Sequence, residues 1–579
     1  MQSILSHSLV RSWQRIVARR AGLDLPFFAM TLVTALVSFL ILFPMAMLLY
    51  GSFWSERPGF PGHFTVQNYV TAYSDFETYQ MLFNTALMIG TKTLIAGSIA
   101  LLLAWIIART DTPCRGLLET LIVIPFFVPG ILEAVGWIML LSPKTGTLNL
   151  LFKNLFGLKE PLLNIYSLGG IIWVMSLGSV SFLFLFFVTA LRSMDASLEE
   201  AAALAGAGPV RTALTITLPM IAPVILGASM FSFIRTMDAF EVPVLLGLPA
   251  GVFVFGNRIY AAIEYDFPVN YGLATALGGS LLVLMMGLLA VQNKLLRGKE
   301  FFVITGKGYR PHVVSLGPFK YVALAVCLGY FLLATGLPLS QVVIGSFLRV
   351  FGLMQWDMLT LDNYKTVGSD PTLWRGLKNT ILVGGGAAML TILLCSVVSY
   401  ITVRTKYRGR KLLDLICWLP NAIPGIVAGV GMLWAYITLP FPLYGTLTLL
   451  VIVFVTIGLP VGVRLMSGVM VQLSPELEEC SMAHGASWAT TFRKIVLPLL
   501  KPALAAGVLI LFVNFSRAVS TTLLFAQHGT ELLAVALFRY SQSGTRLGTI
   551  SALAVILTMI NVTAMLIARR LGAFGRQAG

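Results

Sequence analysis

Residues 199–219 read EEAAALAGAGPVRTALTITLP, and residues 478–498 read EECSMAHGASWATTFRKIVLP. Glu200, Gly206, Ile216, Leu218 and Pro219 of the first stretch return as Glu479, Gly485, Ile495, Leu497 and Pro498, each 279 positions later. A polar pattern kept twice in a strongly apolar chain asks for a common structural duty, and the sequence around it shows what kind.

The chain has 579 residues, of which 57% are hydrophobic and 11% charged, with a mean hydropathy of +0.87. A soluble protein carries about a quarter charged residues. Several apolar runs exceed the roughly 20 residues that cross a bilayer core. They are too long and too continuous for the alternating strands of a barrel. The composition therefore predicts an all-α membrane protein. Twelve spans are expected, at about 27–50, 82–108, 116–142, 168–191, 217–239, 270–292, 319–347, 379–403, 412–437, 443–466, 497–517 and 545–568. The first follows Arg11, Arg15, Arg19 and Arg20 and is too long for a signal-peptide core, so it reads as a retained span.

The net charge of +16 sits in short loops rather than in one stripe, which speaks for topology and not for nucleic acid. An N-terminus inside the cell puts about 26 of the 40 Lys and Arg on the cytoplasmic face, including the clusters Lys294–Arg310, Arg404–Lys411 and Arg569–Arg576. Both termini are then cytoplasmic. The five cysteines (114, 327, 395, 417 and 480) are scattered and form no CxxC, so neither a disulfide framework nor a metal knuckle is indicated.

The duplication extends over the whole chain. Asn84-Thr85 recurs as Asn379-Thr380, Asn68-Tyr69 as Asn363-Tyr364, and the GSF of 51–53 as that of 345–347. RTDTPCRGLLETLIVIPFFVPGI from 109 pairs with RTKYRGRKLLDLICWLPNAIPGI from 404, so Pro125, Pro129 and Gly130 match Pro420, Pro424 and Gly425. Here the offset is 295; the sixteen-residue difference from 279 falls in the loop around 143–167. Six spans per half make this a parallel repeat about an axis along the membrane normal. The expected organisation is a tail (1–26), a first six-span repeat (27–292), a linker (293–318) holding FVITGKGYRP, a second repeat (319–568) and a tail (569–579). The linker's GKG lacks the preceding Gly of a phosphate loop, and no GxxxxGK[ST] occurs in the chain.

Both repeated stretches lie between the fourth and fifth spans of their half. Ser197 with Glu200 forms a capping-box pattern. Ser474, Pro475, Glu476, Glu478 and Glu479 make an acidic helix start. Gly206 and Gly485 suit a tight helix exit. Each stretch thus reads as a short helix, smooth where Ala201 and Ala202 stand, held at the base of the membrane domain. EAA, three residues, Gly, nine residues, Ile-x-Leu-Pro resembles the signature loop of permease subunits in binding-protein-dependent ABC importers. The first copy matches throughout; in the second, Cys480 and Ser481 replace the two alanines.

That resemblance implies a type I ABC importer permease fold with two fused permease units, most similar to iron(III) importer permeases. It implies that Glu200, Ala201, Ala202, Gly206, Glu479, Cys480, Ser481 and Gly485 seat on ATPase subunits, expected as a homodimer. It further implies a periplasmic solute-binding protein as partner, a bacterial inner-membrane location amid lipid, ATP bound by the partner rather than by this chain, and no bond chemistry of its own. Fused permeases for thiamine, phosphonates and phosphosugars look alike at this level. An ion-coupled secondary transporter also fits twelve spans in parallel halves, but no midplane carboxylate or histidine stands out for ion coupling. A membrane-embedded enzyme would need an acid/base or metal constellation that the sequence does not display.

Charges within spans are functional candidates. FIRTMDAFEVP places Arg235, Asp238 and Glu241 near the far end of the fifth span, and FVNFSRAVSTT places Asn514, Ser516 and Arg517 in the same register. Asp238, Glu241 and Arg517 either line the outer mouth of a pathway or snorkel and pair with each other; Lys92 fits a snorkelling lysine equally well and is assigned no role. Pro125, Pro129, Gly130, Pro420, Pro424 and Gly425 interrupt the third span of each half, as packing kinks or as gate hinges. FLFLFFV (182–188) reads as lipid-facing or packing surface, and His484 as loop surface without metal-ligand spacing.

Overall fold

The structure is a computed structural model describing residues 2–194, 197–296, 314–349, 356–544 and 546–570; the side chains of residues 1–26 fall outside that description. The expected tail 1–26 is helical from Gln2, continuous with the first span as Gln2–Ser52. The centre of the expected linker (297–313) and most of the expected C-terminal tail (571–579) lie outside the described residues, as do the basic residues they carry. Among the described residues the chain is helical, with only three isolated β-bridges. In hydrocarbon a helix satisfies its own backbone, so a chain this apolar has few other options.

Ten helices are long and apolar enough to span: Phe27–Ser52, Phe76–Arg109, Leu168–Ser193, Ala213–Thr236 and Tyr271–Gln292 in the first half, then Gly317–Ser346, Pro371–Arg404, Leu447–Gln472, Ala489–Ser516 and Leu547–Ala568 in the second. The remaining two expected spans are broken. Arg115–Phe127 and Gly130–Leu141 meet at 98°, and Arg410–Ala422 and Gly425–Ile437 at 112°. The prolines at 125, 129, 420 and 424 explain the corners: each removes a donor and bars the preceding turn from continuing. A third bent pair, Glu241–Ala250 with Phe255–Glu264 at 70°, follows the fifth span, where no span was expected. Its apolar run was too short to read as a crossing.

The dipeptides that repeat in the sequence act as loop locks. Asn68 Nδ2 donates to the carbonyls of Ser52 and Trp54, and Asn363 Nδ2 to those of Ser346 and Leu348. Asn84 Nδ2 donates to Phe253 O, and Asn379 Nδ2 to the carbonyls of Gly529 and Glu531. Thr85 and Thr380 hydroxyls accept from the Phe255 and Leu533 amides. Asp75 and Asp370 cap their spans by accepting from the amides of Glu77 and Thr372.

The halves are interleaved rather than side by side. The first span packs on the second half's Gly425–Ile437 helix, and the Leu337–Ser346 segment packs on the first half's Gly130–Leu141 helix. Both crossings bring a glycine against a proline carbonyl. A Cβ on Gly431 would lie 2.7 Å from Pro44 O, and one on Gly136 would lie 2.7 Å from Pro338 O. Small residues let helix backbones approach where apolar burial offers little drive between helices in lipid. One continuous apolar core runs through both halves.

Candidate functional site

The repeated loops fold alike. Ser197–Leu204 is a helix, Gly206 takes φ +83°, and Pro209–Thr212 leads through a π-turn, Ala213–Thr217, into the fifth span. Glu476–Ala483, Gly485 at φ +83°, Trp488–Thr491 and the π-turn Phe492–Val496 repeat the series. The second helix starts one residue later than its sequence suggested, with the Ser474 hydroxyl accepting from the Glu476 amide. Open space surrounds both glycines, so the positive φ is their requirement. Glu200, Ala201 and Gly206 are exposed and Ala202 half-buried; Glu479, Cys480 and Gly485 are exposed and Ser481 half-buried. Neither Glu200 nor Glu479 forms an ion pair among the described residues. His484 Nδ1 turns back to Cys480 O at 2.8 Å and stays on the loop surface.

What holds the loops was not singled out from the sequence. Glu199, one residue before the motif glutamate, lies 3.5 Å from Arg109 Nη1 and accepts from the Thr217 hydroxyl at 2.7 Å. Glu478, its counterpart, lies 3.3 Å from Arg404 Nε and accepts from the Tyr400 hydroxyl at 2.7 Å. Arg404 Nη2 also donates to the carbonyls of Met470 and Leu473. Arg109 and Arg404 end the second span of each half, so one buried ion pair ties each loop to the bundle. The signal was available: both arginines open the paired Arg-Thr stretches, and both glutamates sit at the shared offset.

At the opposite end of the fifth spans, about 27 Å away by helical rise, a cavity of ≈ 280 Å³ lies between the halves. The structure brings Asp238, Arg517, Pro420, Pro424 and Gly425 together there, with Arg235, Asn421 and Asn514. Asp238 Oδ1 accepts from the Gly425 amide at 2.5 Å, so a first-half carboxylate caps the second half's broken helix, where its dipole favours negative charge. A Cβ on Gly425 would strike the Ser520 hydroxyl. Glu241 is half-buried and outside this lining. Pro125, Pro129 and Gly130 form the equivalent corner of the first half and likewise do not line it. Lys92 is no snorkelling lysine: it is 2% exposed and donates to the hydroxyls of Ser232 and Thr236, joining the second span to the fifth.

The family model described as binding-protein-dependent transport system inner membrane component matches twice, over residues 59–299 and 370–574. The chain belongs to this family. The family's unit is present in duplicate, once in each half. A ferric transport system permease protein of Actinobacillus pleuropneumoniae is 28% identical over 426 residues, covering 73% of this chain and 61% of the relative. An Fe(3+)-transport system permease protein of Haemophilus influenzae is 22% identical over 465 residues, covering 80% of this chain and 84% of the relative. Among solved structures, a bacterial ABC transporter that imports the acidic polysaccharide alginate is similar at TM-score 0.41 and 21% identity, over 48% of this chain and 98% of that one. The permease thus spans only about three fifths of the first relative's length.

Proposed function

We propose that this chain is the fused permease of an ATP-driven importer in the bacterial inner membrane, with both termini and both repeated loops cytoplasmic. The observation that carries the reading is the matched pair of loops, exposed on their small-residue faces and each tied to its half by a buried Arg–Glu pair. ATP binding closes two partner ATPases and draws the loops together. The interleaved halves then rock about the repeat axis, opening the cavity to a docked periplasmic binding protein, and hydrolysis resets them. Asp238 and Arg517 line the pathway in this scheme, and the proline corners at 125–130 and 420–425 serve as its hinges. Iron(III) is the solute favoured by the two ferric relatives.

The test is co-purification with the ATPase encoded for the system and ATP-dependent ⁵⁵Fe uptake. Glu200→Arg with Glu479→Arg is expected to abolish both while the protein stays folded. Unchanged uptake and ATPase binding would refute the assignment of the loops.

A further inference from the structure

We propose that the cavity between the halves is a transit site for an oxyanion, and that iron, if it is the cargo, crosses with an oxyanion still bound to it. The inference rests on the importer reading and adds to it the chemical class of what passes. Two guanidinium groups, Arg235 and Arg517, line the cavity, and among the described residues neither makes a hydrogen bond or an ion pair within 4 Å. Charged side chains within the bilayer's depth normally pair or face a functional pathway. The cavity's one carboxylate, Asp238, accepts from the Gly425 amide and offsets at most one of the two positive charges. Glu241 and Glu133 stand within electrostatic reach of Arg517 but outside the lining. Behind Arg235, the Lys92 ammonium adds a third positive charge, already bonded to two hydroxyls.

Arginine's planar fork matches phosphate and carboxylate oxygens. Asn421 and Asn514 add amide donors to the same lining. The ≈ 280 Å³ cavity has room for several waters, enough for a small oxyanion or its ferric complex. A bare trivalent cation would meet a lining with two guanidinium groups and one carboxylate, net positive; a ferric phosphate or ferric citrate complex turns oxygen toward the guanidinium groups. Arg517 matches Asp238 in the repeat and Asn514 matches Arg235. The two cations therefore come from non-equivalent positions, one in each half, and the site exists only where the halves meet.

The full-length permease, purified in nanodiscs with its ATPase, is dialysed against ³²P-phosphate and ¹⁴C-citrate. ATP-dependent ⁵⁵Fe uptake is measured in parallel in vesicles also holding the binding protein. Removing one charge-assisted hydrogen bond to the anion weakens its binding by about tenfold or more. Arg235→Gln with Arg517→Gln is expected to cut oxyanion binding by at least that factor and to depress ⁵⁵Fe uptake, with ATPase co-purification retained; Lys365→Gln leaves both at wild-type level. Absence of oxyanion binding to the wild type, or wild-type binding by the double variant, overturns the proposal. Iron uptake untouched by the double variant overturns it too, while leaving the importer reading in place. Charge-dependent oxyanion binding without any iron uptake supports the site and refutes iron as cargo.

Discussion

Glu199→Ala removes the only ionic partner that Arg109 has among the described residues; the arginine side chain is 1% exposed and its guanidinium nitrogens make no hydrogen bond there. Breaking a buried pair by deleting one member costs about 3–5 kcal/mol, because a charge is left with nothing to face. The helix this pair holds, Ser197–Leu204, has eight residues and is too short to persist unaided. At about 1.4 kcal/mol per decade, the ratio of seated to unseated loop should fall by about two to three orders of magnitude. Hydrogen exchange reads this directly at the Ala205 and Ala207 amides, which donate to the carbonyls of Ala201 and Ala202; both should exchange at least about 100-fold faster. Glu478→Ala should be milder, at about 1–3 kcal/mol, because Arg404 keeps its bonds to the Met470 and Leu473 carbonyls. Arg109→Met with Glu199→Leu should restore slow exchange, since well-packed apolar pairs replace buried ion pairs at little cost. Unchanged exchange after Glu199→Ala, or a larger effect in the second loop than in the first, would refute the idea that these pairs seat the loops.

Two further perturbations bear on how the halves are joined. Gly136→Ala and Gly431→Ala each push a methyl to 2.7 Å from a proline carbonyl and should lower stability by about 1–3 kcal/mol each, read as similar drops in thermal midpoint in nanodiscs. Gly385→Ala, with open space around it, should cause none, and equal midpoints for all three would refute the crossing as a tight approach. Asp111 receives the Leu316 amide at 2.9 Å and the Ser315 hydroxyl at 3.1 Å, which hold its carboxyl below the usual carboxylate range. That docking is therefore complete above pH 4, near the free carboxyl's pKa of about 3.9, and is lost as pH falls through the lower folded value. After correction for intrinsic rates, the Leu316 amide should be protected at pH 6 and lose protection below about pH 4; Asp111→Asn should weaken protection at pH 6.

Apolar length alone located the ten straight spans, because hydrocarbon leaves a helix as the only way to cross. The broken spans were legible only as proline positions: Pro125 and Pro420 mark a corner, but whether the chain kinks or turns through 98° and 112° depends on what fills the angle. In the second half that filling includes Asp238 and Ser520, which lie far away in sequence. The loops were legible from Glu200, Gly206 and their copies because the same spacing recurs 279 residues later. Their seats were not, because Glu199 and Arg109 are 90 residues apart and each alone reads as an ordinary loop charge. Lys92 misled for a related reason: a lysine in an apolar run suggests snorkelling, and only the fold supplies the hydroxyls of Ser232 and Thr236 that hold it inside.

The two halves agree at one end of the molecule and differ at the other. The loops, the asparagine locks and the Gly–Pro crossings recur at fixed offsets, and under the proposed importer reading these are the parts that move in step. At the cavity the register holds and the chemistry changes: Arg235 answers to Asn514, Asp238 to Arg517, Glu241 to Ser520 and Glu133 to Ala428. One half supplies the capping carboxylate and one guanidinium while the other supplies the capped helix and the second guanidinium, a division that the proposed small ligand, having no two-fold axis, would allow. Fusing the two units in one chain makes that division of labour heritable as a unit. A homodimer of either half would place two Asp238 or two Arg517 side chains at the same seam, and would lose the pairing of cap and helix on which this seam is built.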